Sequence, residues 1–203
     1  TERQQFNAAF DVKRDSTDWR NVVKGKARII HEDDTRENED YRLGLQTDYK
    51  LSDRDYLFGS VEYVNDVFSG FERRITETVG YGYYWLKNDR MTLKTQGSIG
   101  GRHSKLTDDN LPSSGERTQN DVILKPLVTY DWVMNDRIKF ESEAQSTVGT
   151  ENIISELNAG VSTNMMENLS LKFAVDVEHV SDTPADTKST DTTASLNLVY
   201  DWD

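Results

Sequence analysis

TDYKLSDRDYLFGSVEYVNDVFSGFERRITETVGYGYYWLKNDRMTLKTQGSIGG, residues Thr47 to Gly101, decides the fold of this chain. At its centre Phe71, Ile75, Val79, Tyr81, Tyr83 and Trp85 share one parity, and Glu72, Arg74, Thr76, Thr78, Gly80 and Gly82 hold the other. Side chains of an extended chain alternate between two faces, so this period of two predicts a strand with one apolar and one polar face. The runs are joined by a tight polar turn at Leu51-Ser52-Asp53-Arg54-Asp55, a looser one from Asn65 to Gly70, and a tight one at Lys87-Asn88-Asp89-Arg90.

The same plan continues on both sides. Upstream, Phe6, Ala8, Phe10 and Val12 share a parity, as do Trp19, Val23, Ala27 and Ile29, and then Tyr41, Leu43, Leu45 and Tyr49. In the run from Leu57 to Tyr63, Tyr56 and Phe58 blur the phase. Downstream come Met91 to Ile99, Val122 to Trp132, Ile138 to Val148, Ile153 to Val161, Leu169 to Val177 and Ala194 to Trp202. The pattern gives about eleven strands of roughly 10–15 residues each, against five or six in ordinary soluble sheets. Short turns follow the odd-numbered runs, and longer or more acidic segments follow most of the even-numbered ones. This alternation is the hairpin grammar of an outer-membrane barrel, with short periplasmic turns and longer outer loops.

Bulk composition narrows the function classes. The chain has 203 residues, 30% charged and 35% hydrophobic, so a conventional apolar core would be poor for its length. It reads as one domain, residues 1–203. A net charge of -12 argues against nucleic acid as a partner, because phosphate binding needs a basic face. Cysteine is absent, which removes thiolate metal sites, cysteine nucleophiles and disulfide staples. There is no apolar run long enough for a membrane-spanning helix. No signal-peptide pattern follows Thr1, so any export signal is expected to have been removed already or never included.

Aromatic placement separates a membrane barrel from a soluble one, which alternation alone cannot do. Trp19, Trp85, Trp132 and Trp202 lie on the apolar parity beside the short turns, with Tyr49, Tyr83, Tyr130 and Tyr200 at the same level. An interface girdle needs such a ring, since the apolar body sits in the headgroup layer while the N–H or O–H stays wet. The girdle is therefore Trp19, Tyr49, Trp85, Tyr130, Trp132, Tyr200 and Trp202. The polar parity must then line a lumen, with Lys24, Lys26, Arg28, Arg42, Arg74, Lys94, Lys125 and Lys172 set against Glu72, Glu141, Glu143 and Asp176. Mixed signs point to ion-paired, side-chain-filled space more than to a wide selective channel. Glu77 falls on the lipid parity and is expected near the outer interface, where its cost is small.

Three segments carry a resemblance: Tyr49-Lys50-Leu51-Ser52-Asp53-Arg54-Asp55-Tyr56-Leu57-Phe58-Gly59, Asn65-Asp66-Val67-Phe68-Ser69-Gly70 and Val79-Gly80-Tyr81-Gly82-Tyr83. The chain is similar over its length to the salt-induced outer-membrane proteins, bacterial barrels grouped as domain of unknown function 481. Ser181-Asp182 and the threonines Thr190, Thr192 and Thr193 before the last run extend the likeness. The resemblance implies an all-β, antiparallel transmembrane β-barrel of about twelve strands, an even number. About eleven are visible here. It implies a Gram-negative outer-membrane location and an absent first strand, with Thr1-Glu2 as the tail of the loop after it. Asp203 departs from the aromatic residue on which such barrels usually finish.

Chemical motifs are sparse. His31, His103 and His179 sit at loop ends of even-numbered runs without the spacing of a metal site, so no metal or cofactor is expected. The acidic residues Glu32, Asp33, Asp34, Glu37, Glu39 and Asp40, with Asp108-Asp109, read as solvated loops that can collect divalent cations. Ser104 beside His103 is the one sequence-adjacent nucleophile–base pair, and adjacency alone gives no geometry. No catalytic residue is assigned. The glycines Gly80, Gly82, Gly97, Gly100 and Gly101 mark bends or close packing rather than a phosphate loop. The expected function is a non-enzymatic outer-membrane barrel, a narrow pore or a structural, stress-associated envelope protein in contact with outer-membrane lipid and lipopolysaccharide. The alternatives are a scaffold that docks an envelope protein partner through its acidic outer loops, and a lipid-acting barrel enzyme.

Overall fold

In the computed structural model, which describes residues 3–32, 35–66, 71–107, 117–150, 152–181 and 189–200, the chain forms eleven strands. These are β1 (Arg3–Asp15), β2 (Trp19–Glu32), β3 (Thr35–Lys50), β4 (Asp55–Asp66), β5 (Phe71–Lys87), β6 (Met91–Leu106), β7 (Thr118–Val133), β8 (Ile138–Val148), β9 (Ile153–Met166), β10 (Leu169–Val180) and β11 (Thr190–Tyr200). They lie in one sheet in consecutive order, β1 to β11. The pairings whose register is defined are antiparallel, including β1–β2, β2–β3, β3–β4, β7–β8, β8–β9, β9–β10 and β10–β11. The chain gathers into two compact units, Thr1–Gly80 with Ile99–Ile123, and Tyr81–Ser98 with Leu124–Asp203.

Alternation of side chains is clearest in β3. Tyr41, Leu43, Leu45, Thr47 and Tyr49 are exposed, while Arg42, Gly44, Gln46, Asp48 and Lys50 are wholly or partly buried. The covered face is the polar one. Thr76, Thr78, Ser104 and Arg102 are buried in the first unit, and Gln96, Ser98, Thr129 and Ser162 in the second. Meanwhile Val79 is 64% and Leu198 69% exposed. A water-soluble protein buries the opposite set. Among the described residues, many large hydrophobic side chains on the outward parity stay exposed, Leu43, Leu45, Leu196 and Leu198 among them.

Three short turns are built alike. Ser52-Asp53-Arg54, Asn88-Asp89-Arg90 and Asn135-Asp136-Arg137 each place a small polar side chain ahead of Asp-Arg. Asn88 Oδ1 accepts from the backbone N–H groups of Arg90 (2.9 Å) and Met91 (2.8 Å). Asn135 Oδ1 does the same for Arg137 (2.9 Å) and Ile138 (3.0 Å). Ser52 Oγ accepts from Arg54 (3.1 Å) and Asp55 (3.3 Å). Short polar side chains that cap their own backbone are the usual way to close a turn of this length.

Two segments differ from the sequence reading. Of the acidic segment Glu32 to Asp40, Glu32 and Thr35–Asp40 are strand: β2 continues to Glu32, β3 starts at Thr35, and the two pair with a register shift at Ile30/His31, while Asp33 and Asp34 lie outside the described residues. Strand pairing satisfies the backbone groups that a loop would leave to water, and it extends the hairpin despite its acidic composition. Tyr56 and Phe58 do not blur the phase; they are buried on the polar face of β4, opposite Leu57 and Val61. Pro126 interrupts β7. On the β8 side Leu124 pairs with Val148 and the ladder resumes at Leu127 with Gln145, as expected around a residue without an N–H to donate.

Candidate functional site

The polar face is the chemically active surface of this sheet, and each unit carries its own part of it. In the first unit the centre is Asp48, fully buried with 0% exposure. Register puts Arg20 of β2 directly opposite it on β3. Arg20 donates to Asp48 Oδ2 through Nε at 2.6 Å and Nη2 at 2.5 Å, and Gln46 Nε2 donates to Oδ1 at 2.7 Å. The Arg20 guanidinium also lies 4.8 Å from the ring centre of Tyr56. A buried carboxylate survives only when paired and hydrogen-bonded, and here both conditions hold.

A second buried pair joins Arg102 and Asp121 at 2.7 Å, with Arg102 only 5% exposed. The buried apolar side chains of the same unit, Tyr56, Phe58, Leu106 and Ile123, point to this polar side of the sheet. A smaller contact closes the middle: Ser60 Oγ and Thr78 Oγ1 are 2.7 Å apart. In the second unit Lys172 pairs with Glu141 at 2.5 Å, Gln145 donates to Glu156, and the hydroxyls of Ser146 and Ser155 meet at 2.9 Å. Among the described residues, both units therefore present paired charges and hydroxyls on this face.

The charges assigned to a lumen all fall on this polar parity. Lys24 faces Asp11 at 3.7 Å, Arg28 faces Asp40 at 3.2 Å, and Glu72 binds Lys105 at 2.5 Å. Lys172 and Glu141 are the pair already described. Arg42, Arg74, Lys94, Lys125, Glu143 and Asp176 are partly buried, and Lys26 is exposed. Arg20, Arg102 and Asp121 were not singled out among these lumen charges, although they form the most buried pairs. Parity alone does not rank charges by burial. The register that sets Arg20 against Asp48 depends on turn geometry, which is visible only once the hairpin is built.

Of the girdle residues, Trp19 stacks on Tyr49 with ring centres 5.0 Å apart, and the two are cross-strand partners. Trp85 meets Tyr83 edge-on at 5.1 Å and donates its indole N–H to Thr95 Oγ1 at 3.0 Å. Tyr130 lies 6.2 Å from Phe140, and Trp132 and Tyr200 are exposed. Trp202 lies outside the described residues. Trp19, Tyr49, Trp85, Tyr130 and Trp132 sit on the outward parity within a few residues of a short turn, and Tyr200 pairs with Leu169 beside the turn between β9 and β10.

The histidine ideas separate. His103 Nδ1 lies 2.6 Å from Asn120 Oδ1, and His179 Nδ1 lies 2.8 Å from Thr190 Oγ1, so each bonds its own neighbouring strand. The side chain of His31, and Asp33, Asp34 and Asp108-Asp109, lie outside what is described. Among the described residues no group of three or more His, Asp or Glu is placed to hold a metal ion. Ser104 is buried and His103 exposed, as neighbours in a strand must be, so the two do not form a nucleophile–base pair.

Known proteins fit this geometry. The chain shares the fold of the NanC porin, with a TM-score of 0.66 and 98% of each chain covered, at 9% sequence identity. The fold is thus that of an antiparallel porin-type β-barrel. The chain is also 27% identical over 177 residues to the uncharacterized protein YdiY of Escherichia coli (strain K12), covering 87% of this chain and 67% of that one. A family model described as protein of unknown function, DUF481, matches residues 1–202, and the chain belongs to that family.

Proposed function

We propose that this chain is a non-enzymatic outer-membrane barrel of a Gram-negative envelope, one barrel domain whose polar face lines a narrow, ion-paired passage. The observation that carries the reading is the inverted burial: Asp48 at 0% exposure on one face, Leu198 at 69% on the other. Oily side chains then contact acyl tails, and the aromatic residues beside the short turns mark the periplasmic headgroup layer. Buried pairs such as Arg20–Asp48 and Arg102–Asp121 fill the interior with side chains, which favours small conductance over a wide channel.

Planar-bilayer recording of the purified protein tests this. Discrete conductance steps well below those of a wide trimeric porin are the expected outcome. Complete silence of folded, inserted protein would remove the pore and leave a structural role. A second reading, docking of an envelope protein, is favoured by the strand-paired acidic segment at the β2–β3 tip. A fixed partner co-purifying with the wild-type chain, and lost when Glu37 and Glu39 are changed to Gln, would support it.

A further inference from the structure

The polar face of the first unit changes character along its strands. At the short-turn end, register lines up Asp15, Arg20, Asp48 and Phe58 across β1 to β4, with Tyr56 opposite Lys50 one step nearer the turn. Asp48 and Tyr56 are 0% and 2% exposed, and Phe58 is buried. The Tyr56 ring packs against both the Arg20 guanidinium and the Phe58 ring, the latter at 6.2 Å between centres. Lys50 binds Asp15 and the Ser16 carbonyl, which ties β3 to β1 at the same level.

Toward the long-connection end the face opens. Gln46 and Ser60 are half-buried. Beyond them Gly44 stands between Lys24 of β2 and Glu62 of β4, and a Cβ placed on it would meet nothing within 4 Å. Lys24 is 58% exposed although Asp11 lies 3.7 Å away, and Lys26, opposite Arg42, is exposed as well. On β5 to β7 of this unit the face is packed instead, with Thr76, Thr78, Arg102, Ser104 and Ile123 all buried. The opening therefore lies over β2 and β3, centred four residues along β3 from Asp48.

A wet path needs side chains that water can reach, and Asp48 and Tyr56 offer none. They cannot step aside at low cost either. Parting Arg20 from Asp48 leaves a buried charge without its counter-charge, and the Tyr56 ring is attracted to the guanidinium beside it. We propose that Tyr56, seated on the Arg20–Asp48 pair, is the constriction of the passage on the wall that the first unit supplies, and that Gly44 floors a wet vestibule leading to it. Tyr56 then sets the size limit for what crosses, and solutes reach it from the long-connection side. This rests on the reading of the polar face as a passage.

Sided thiol labelling of the full chain tests the constriction. The chain has no cysteine, so Gly44→Cys adds a single thiol, at a position with room for it. The probe is membrane-impermeant sulfonatoethyl methanethiosulfonate, added to one side of a bilayer and read both as adduct mass and as lost current. Asp53→Cys, in the exposed turn between β3 and β4, marks the side that the short turns face. Gly44→Cys should react from the long-connection side and not from the short-turn side. Adding Tyr56→Ala should make the reaction two-sided, whereas Leu57→Ala, at the exposed outward-facing neighbour, should leave it one-sided. Reaction from both sides with Tyr56 in place would overturn the constriction, as would one-sided reaction in folded protein carrying Tyr56→Ala. No reaction from either side would overturn the vestibule. Should Tyr56→Ala fail to fold, Tyr56→Leu takes its place with the same two-sided reaction expected. Protein that inserts and labels from one side but carries no current, even with Tyr56→Ala, removes the conducting role and leaves the constriction standing. Conducting protein that labels from both sides removes the constriction alone.

Discussion

Gly100 shows how little room a strand can leave. A Cβ placed there would overlap the carbonyl of Glu77 and crowd Thr78 Cα, both backbone atoms of β5 that cannot swing aside. Gly100→Ala should therefore lower stability by about 1–3 kcal/mol or more. Gly97→Ala, on the same strand with nothing within 4 Å of the new atom, should be neutral or slightly stabilising. Urea unfolding of both variants in detergent micelles, followed by tryptophan fluorescence, separates the two. Asp48 is the other decisive residue. Asp48→Ala strands the Arg20 guanidinium in a buried position and should cost about 3–5 kcal/mol, whereas replacing both partners with apolar residues of similar size should cost much less. Comparison of the single and double variants in the same assay would show whether the pair stabilises or only satisfies itself.

At the level of the strand and turn, the repeated Asn-Asp-Arg closure makes a transferable expectation. Asn135→Ala removes the acceptor for two backbone N–H groups and should cost about 1–2 kcal/mol, while Asn135→Asp keeps the acceptor and should be close to neutral. Thermal shift of the unboiled, compact band on a gel would read both. The strands themselves were legible because alternation in β3 and β5 is an arithmetic property of extended chain, and a sheet with one covered face enforces it. Strand ends were less so. Thr35–Asp40 pairs with β2 although its charge favours a loop, because pairing is decided by the partner strand as well as by the segment. Tyr56 and Phe58 misled for a related reason. An aromatic ring does not declare its face; here Tyr56 is placed by the cation of Arg20, a contact across strands that no local window contains. The likeness among the turns at Ser52, Asn88 and Asn135 was present in the residues and could have been found by aligning the short turns with one another.

For the molecule as a whole, location is the question that composition raises and burial sharpens. If the outward parity meets lipid, Trp19, Trp85 and Trp132 should be quenched strongly by lipids brominated near the headgroup and weakly by those brominated near the chain end. Uniform, weak quenching at all depths would place these indoles in water instead. The consecutive order of the eleven strands has a bearing on assembly as well. Each of β2 to β11 finds a partner in the segment made just before it, so loop-closure entropy stays small at each of these steps. Such a molecule can zip up one hairpin at a time as it enters the bilayer, each new rung templated by the last. The nascent edge would then join the outer edge of β1 as a place where unsatisfied backbone has to be shielded from lipid, and it is the piece most in need of a helper during insertion.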